Sequence, residues 1–140
     1  MTFVTWENVG VDRIGSAWLI RRFIDPKANF IFIPRGAPVP KGAEAFDIPG
    51  ARLSHHRGHC SFHSIVRLYR LKDPALARMA RIVDEADTLQ DVSLEPAAAG
   101  LDAICRGMRL TSRNDGDALK RGGEIYEALY ALISREGGKR

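Results

Sequence analysis

The chain has 140 residues, 45% of them hydrophobic and 27% charged, with a net charge of +4. Such a composition belongs to a globular protein, the length suits one domain over residues 1–140, and no apolar run approaches the roughly 20 residues of a membrane span. The N-terminus lacks the basic and apolar regions of a secretory signal, and two widely separated cysteines make no disulfide framework, so a reducing, cytoplasmic setting is expected.

Phe3-Val-Thr-Trp6 is a short β-type run. Asp12 reads as an N-cap for a helix carrying Ile14, Ala17, Trp18 and Arg21, which Asp25-Pro26 stops. Asn29 to Pro34 reads as a buried strand, Arg35 to Gly42 as a Pro/Gly-rich loop, and Ala45-Phe-Asp-Ile48 as a further short strand. Ser61 can cap a helix in which Phe62, Ile65, Val66 and Tyr69 share a face. Asp73-Pro74 pairs a capping aspartate with proline at the first helical position, and Leu76, Ala80, Val83 and Asp87 form the following stripe. Ser93 with Pro96 opens a helix with Leu101, Ile104, Cys105 and Met108 inward, and Asp117 begins the last, striped by Leu119, Tyr126, Leu129, Tyr130 and Ile133. The fold class is therefore α+β and helix-rich: a small N-terminal sheet of two to three short strands packed by about five helices.

All four histidines, His55, His56, His59 and His63, fall in one short segment together with Cys60. Imidazole nitrogen suits Zn, Fe, Cu and Ni, and sulfur shifts preference toward softer ions, so a transition-metal site is the first hypothesis. His55/His59 and His59/His63 are i, i+4 pairs, the spacing of two ligands on one helix face. Gly58 interrupts and Ser61 caps, however, so residues 53–60 read as a loop entering a helix, and the pairing argument does not hold across it. Each of these histidines also has an ordinary reading as a surface or hydrogen-bonding group, and Cys60 one as a buried cysteine.

Asp87 continues an apolar stripe, and a carboxylate there needs an arginine, a cap interaction or a metal, whereas Asp84 falls off that stripe and reads as solvated. A helix N-terminus beside Arg13 is a natural place for a small oxyanion, and Arg13, Arg21 and Arg22 could supply its bidentate hydrogen bonds. The arginines are spread along the whole chain, which fits a solvated basic surface better than a nucleic-acid face.

The chain resembles the ChrB-type chromate-resistance domain, the C-terminal domain of bacterial ChrB proteins. The resemblance runs through Asp12-Arg13, Trp18 to Asp25, Phe46-Asp-Ile-Pro-Gly50, His55 with Cys60-Ser-Phe62, Asp73-Pro-Ala-Leu76, Ala80 to Val83 with Asp87, Ala97 to Leu101 and Tyr126 to Tyr130. It implies a role in chromate resistance or its regulation. In two-domain ChrB proteins promoter binding belongs to the whole molecule, so DNA binding is not expected of this segment alone. Family members usually carry an acidic residue where this chain has His63.

Three expectations follow. The first is a metal-binding sensor or accessory domain, in which His55 and Asp87, with Asp12 or His63 as third ligand, hold Zn or Fe and Arg13, Arg57 or Arg21 holds a small oxyanion. The second is a redox enzyme acting through a Cys60 thiolate on an oxyanion or its by-products. The third is a structural or interaction module with incidental histidines. No membrane partner is expected, and self-association is left open.

Overall fold

The computed structural model describes residues 1–87 and 93–138; the Lys139-Arg140 tail lies outside them. Three strands form one parallel sheet: β1 (Thr2–Trp6), β2 (Asn29–Ile33) and β3 (Glu44–Ala45), in the order β2-β1-β3. Thr2 pairs with Asn29 and Trp6 with Ile33 on one side of β1, while Phe3 pairs with Glu44 and Val4 with Ala45 on the other. Parallel strands need a crossover, and α1 (Val11–Phe23) supplies it between β1 and β2. Four more helices follow: α2 (Ser61–Leu68), α3 (Pro74–Asp87), α4 (Ala97–Thr111) and α5 (Asp115–Gly138). The expected α+β, helix-rich class is what the chain adopts.

β1 is the buried strand because its alternation serves two apolar layers. Phe3 joins the main core with Phe46, α1 and the other helices, while Val4 meets Ile33 and Ile48 on the opposite face. Phe3, Val4 and Thr5 are all fully buried, and the Thr5 hydroxyl donates to the Phe46 carbonyl at 2.7 Å. The third strand is shorter than Ala45 to Ile48 suggests. It ends at Ala45, and Asp47 turns with φ of 52°, a left-handed conformation that breaks strand geometry and aims its carboxylate at the helices.

The helices close on a stack of aromatic rings, Trp18, Phe62 and Tyr126. Tyr126 is fully buried and donates to the Val11 carbonyl at 2.6 Å. Its ring lies on the backbone of Gly15, where an added Cβ would come within 2.6 Å of it. Gly122 meets Ile14 in the same way, so α1 and α5 approach closely because two glycines leave room.

Several caps differ from expectation. α1 begins one residue before Asp12, so Asp12 sits in the first turn and does not cap its own helix. The N-cap of α2 is Cys60, whose sulfur accepts from the His63 N–H. Asp73 caps α3 as expected, its carboxylate accepting from the Ala75 N–H at 2.9 Å. α5 begins at Asp115, earlier than Asp117, because Asn114 caps it, its Oδ1 accepting from the Asp117 N–H at 2.9 Å, while the Asp115 carboxylate accepts from the Asn8 and Val9 N–H groups and ties the helix start to the β1–α1 loop. Ile104 is not inward: it is 46% exposed, and Leu101 and Cys105 carry the α4 contact. No helix among the described residues is long and apolar enough to cross a membrane.

Candidate metal centre

The N-terminus of α2 organises the polar interior. Its backbone donors need acceptors, and the positive end of the helix favours anions. Two buried aspartates from two different helices supply both. Asp12 of α1 accepts from the Ser61 N–H at 2.8 Å and the Phe62 N–H at 2.9 Å. Asp84 of α3 accepts from the Cys60 N–H at 2.7 Å. The expectation that Asp84 is solvated is thus corrected: it follows Ala80 by one helical turn and is buried.

Each aspartate then takes one histidine from the segment. His55 Nε2 lies 3.2 Å from Asp12 and 3.1 Å from Asp87, with Asp47 at 3.6 Å. His59 Nδ1 lies 2.8 Å from Asp84, and its ring stacks on His63 with centroids 3.8 Å apart. The segment that presents them is a tight turn, not a helix. His56 and His59 exchange backbone hydrogen bonds across Arg57 and Gly58, whose φ values of 53° and 80° are those of a two-residue hairpin turn.

The structure therefore brings three of the four expected metal residues together. Asp12, His55 and Asp87 offer ligand atoms within 4.8 Å of one another. His63 is not among them; it groups instead with His59 and Asp84. Of the expected anion-binding residues only Arg13 adjoins the first group, with Nε 2.9 Å from the Asp47 carboxylate and Nη2 donating to the Asp47 carbonyl at 2.9 Å. Arg21 instead donates to the Ala28 carbonyl and lies over Phe30, and Arg57 lies on the hairpin beside the second group. Asp47, which the sequence reading left as a strand residue, is the missed member. Its only signal was its place in the Phe46-Asp-Ile-Pro-Gly50 block.

Crowding one imidazole among three carboxylates shifts all of them. A hydrogen bond to Asp12 raises His55 to about 9. Burial, then the charge of Asp12, raises Asp47 to about 7 against the pull of Arg13. Burial, then Asp12, raises Asp87 to about 6 against His55. Burial acts on Asp12 too, but hydrogen bonds from His55 and from the Phe62 and Ser61 N–H groups outweigh it and hold Asp12 below its ordinary value. At neutral pH a proton on His55 stands where a cation would go. A divalent ion in its place, together with Arg13, would balance the charge of the three carboxylates.

The group opens on a cavity of about 540 Å³ lined by Trp6, Arg13, Asp47, His55 and Asp87 among others. It lies at the carboxyl ends of β1 and β3, where open parallel sheets commonly bind ligands. The Trp6 indole N–H is buried there without a hydrogen-bond partner among the described residues.

Cys60 has no access to this chemistry. It is fully buried, and burial, followed by the Asp12 charge, pushes its thiol far above the ordinary range. Cys105 is likewise buried on α4 and is pushed up to about 12.

Fold and site define an α+β domain whose polar centre is a cluster of aspartates and histidines gathered around one helix N-terminus. The family model for the ChrB C-terminal domain matches residues 3–133, and the chain belongs to that family. Protein ChrB of Cupriavidus metallidurans is 33% identical over 135 residues, which cover 94% of this chain and 40% of that protein. The chain thus spans well under half the length of this relative. No solved structure matches it.

Proposed function

We propose that this domain is a metal-dependent binding module of the chromate-resistance system, with Zn or Fe held by Asp12, His55 and Asp87. The observation that carries this reading is the convergence of one imidazole and two carboxylates, from α1, α3 and the intervening loop, within 4.8 Å of one another, with His55 and Asp87 lining the cavity and Asp12 buried behind them. Three protein ligands leave an open position, the arrangement of sites that take an exogenous ligand rather than a purely structural ion. Asp47 stands beside the ion as a further carboxylate, and Arg13 fixes Asp47 from behind. Trp6, whose buried indole N–H has no partner among the described residues, lines the same cavity.

The test is elemental analysis of the purified protein, followed by Zn²⁺ and Fe²⁺ titration of the stripped protein and of His55→Ala. Uptake of one ion at this site, lost in the variant, supports the reading. Equal uptake by both proteins refutes it. The structural-module reading has one observation in its favour, the use of both Asp12 oxygens as acceptors for α2. It predicts that metal leaves thermal stability unchanged. The redox-enzyme reading needs a thiolate that a buried Cys60 does not offer.

A further inference from the structure

The histidines left over from the first group form a second one. His59, His63 and Asp84 offer three ligand atoms within 4.8 Å of one another, on the far side of the hairpin from His55. Asp84 accepts from the Cys60 N–H at 2.7 Å through one oxygen, and its other oxygen lies 2.8 Å from His59 Nδ1. The two imidazoles stack face to face, 9° apart with centroids at 3.8 Å, so one ring turns for both in-plane lone pairs to converge on one ion. Burial, then the neighbouring His59, holds His63 below its ordinary value.

In front of this group lies a cavity of about 370 Å³. Its walls carry Arg52, Arg57 and Arg67 together with His56, His59 and His63 and, among the described residues, no carboxylate. Arg52 is paired with Glu44 at 2.9 Å, but neither Arg57 nor Arg67 has a carboxylate partner among the described residues. Guanidinium groups repel a bare cation. They favour one whose remaining positions are filled by an anion, since the anion then bridges metal and arginine.

We propose that His59, His63 and Asp84 hold a divalent transition-metal ion of the Zn²⁺ type, completed by a small anion from the arginine-lined cavity. Two imidazoles and one carboxylate with open positions are a donor set that such ions accept. The site is separate from that of Asp12, His55 and Asp87 and stands without it.

The experiment is calorimetric titration of the stripped protein with Zn²⁺, in sulfate and in perchlorate at matched ionic strength. The proteins are the parent, Asp87→Asn and His63→Ala. Asp87→Asn disables the first site, so what it binds reports the second alone. The expected result is one ion retained by Asp87→Asn, bound at least several-fold more tightly in sulfate than in perchlorate, and one ion fewer in His63→Ala than in the parent. Should His63→Ala not fold, His63→Gln is read in the same way. Undiminished Zn²⁺ binding by the His63 variant, or binding by Asp87→Asn that sulfate does not tighten, overturns the proposal. Failure of the first site would appear instead as full parental uptake by Asp87→Asn with the His63 loss intact.

Discussion

Asp12→Asn tests whether a single buried carboxylate organises both the fold and the site. The substitution keeps shape and one oxygen but replaces the other with an amide donor. Asp12 now accepts from two buried backbone N–H groups at 2.8 and 2.9 Å; the asparagine can serve only one. An unsatisfied buried donor costs about 1–3 kcal/mol. Loss of the negative charge at the α2 N-terminus adds about 0.3–1 kcal/mol. The half-exposed His55 partner adds about 0–1 kcal/mol, a surface-pair value. Relief of repulsion on Asp47 and Asp87 works the other way. The net loss expected is about 2–4 kcal/mol, or a fall in Tm of roughly 5–15 °C for a domain of this size. Urea unfolding at pH 7 in chelator, followed by tryptophan fluorescence, measures it. Asp12→Ala, which abandons both donors, should lose more. An Asp12→Asn protein as stable as the parent would show that α2 is held by its apolar face alone and that the cap argument is wrong.

The metal-free protein should be less stable at pH 9 than at pH 6. His55 is raised from 6.5 to about 9, so its contribution is full below 6.5 and is lost as pH rises through 9. Asp47 and Asp87, raised to about 7 and about 6, impose a cost that grows as pH climbs from 3.8 through those values. Urea midpoints across this range check the slope, and saturating Zn²⁺ should reverse it by replacing the His55 proton; a flat profile in both conditions would contradict the cluster electrostatics. Gly15→Ala should cost about 1–3 kcal/mol, because its methyl meets the buried Tyr126 ring at 2.6 Å, and thermal melting reads this directly. Cys60 and Cys105 should resist a thiol reagent in the folded protein and react only as it unfolds, so rapid labelling of either at neutral pH would refute their burial.

Much of this arrangement was legible without a fold. The β-type run at Phe3–Trp6, the Asp25-Pro26 stop and the Asp73-Pro74 start are local chemistry, and local chemistry survives into the structure because each signal needs only its neighbours. The sequence also singled out Asp12, His55 and Asp87, the first two through their segments and the last as a charge on an apolar stripe.

What the sequence could not decide is which acceptor serves which helix. Asp12 looked like a cap for its own helix, and it caps α2, 49 residues away along the chain. Asp84, one turn after Ala80, looked solvated because the α2 N-terminus that needs its carboxylate lies 24 residues away along the chain. Gly58 and Ser61 already divided the histidines between a loop and a helix start, but nothing local said which carboxylate each would meet. The hairpin at Arg57-Gly58 turns the segment so that His55 faces Asp12 and Asp87, while His59 and His63 face Asp84. Residue type and spacing determined that this chain gathers donors. The packing of α1, α2 and α3 around one shared N-terminus decided that it gathers them in two places, since buried N–H groups must find carboxylates and those carboxylates then choose the histidines.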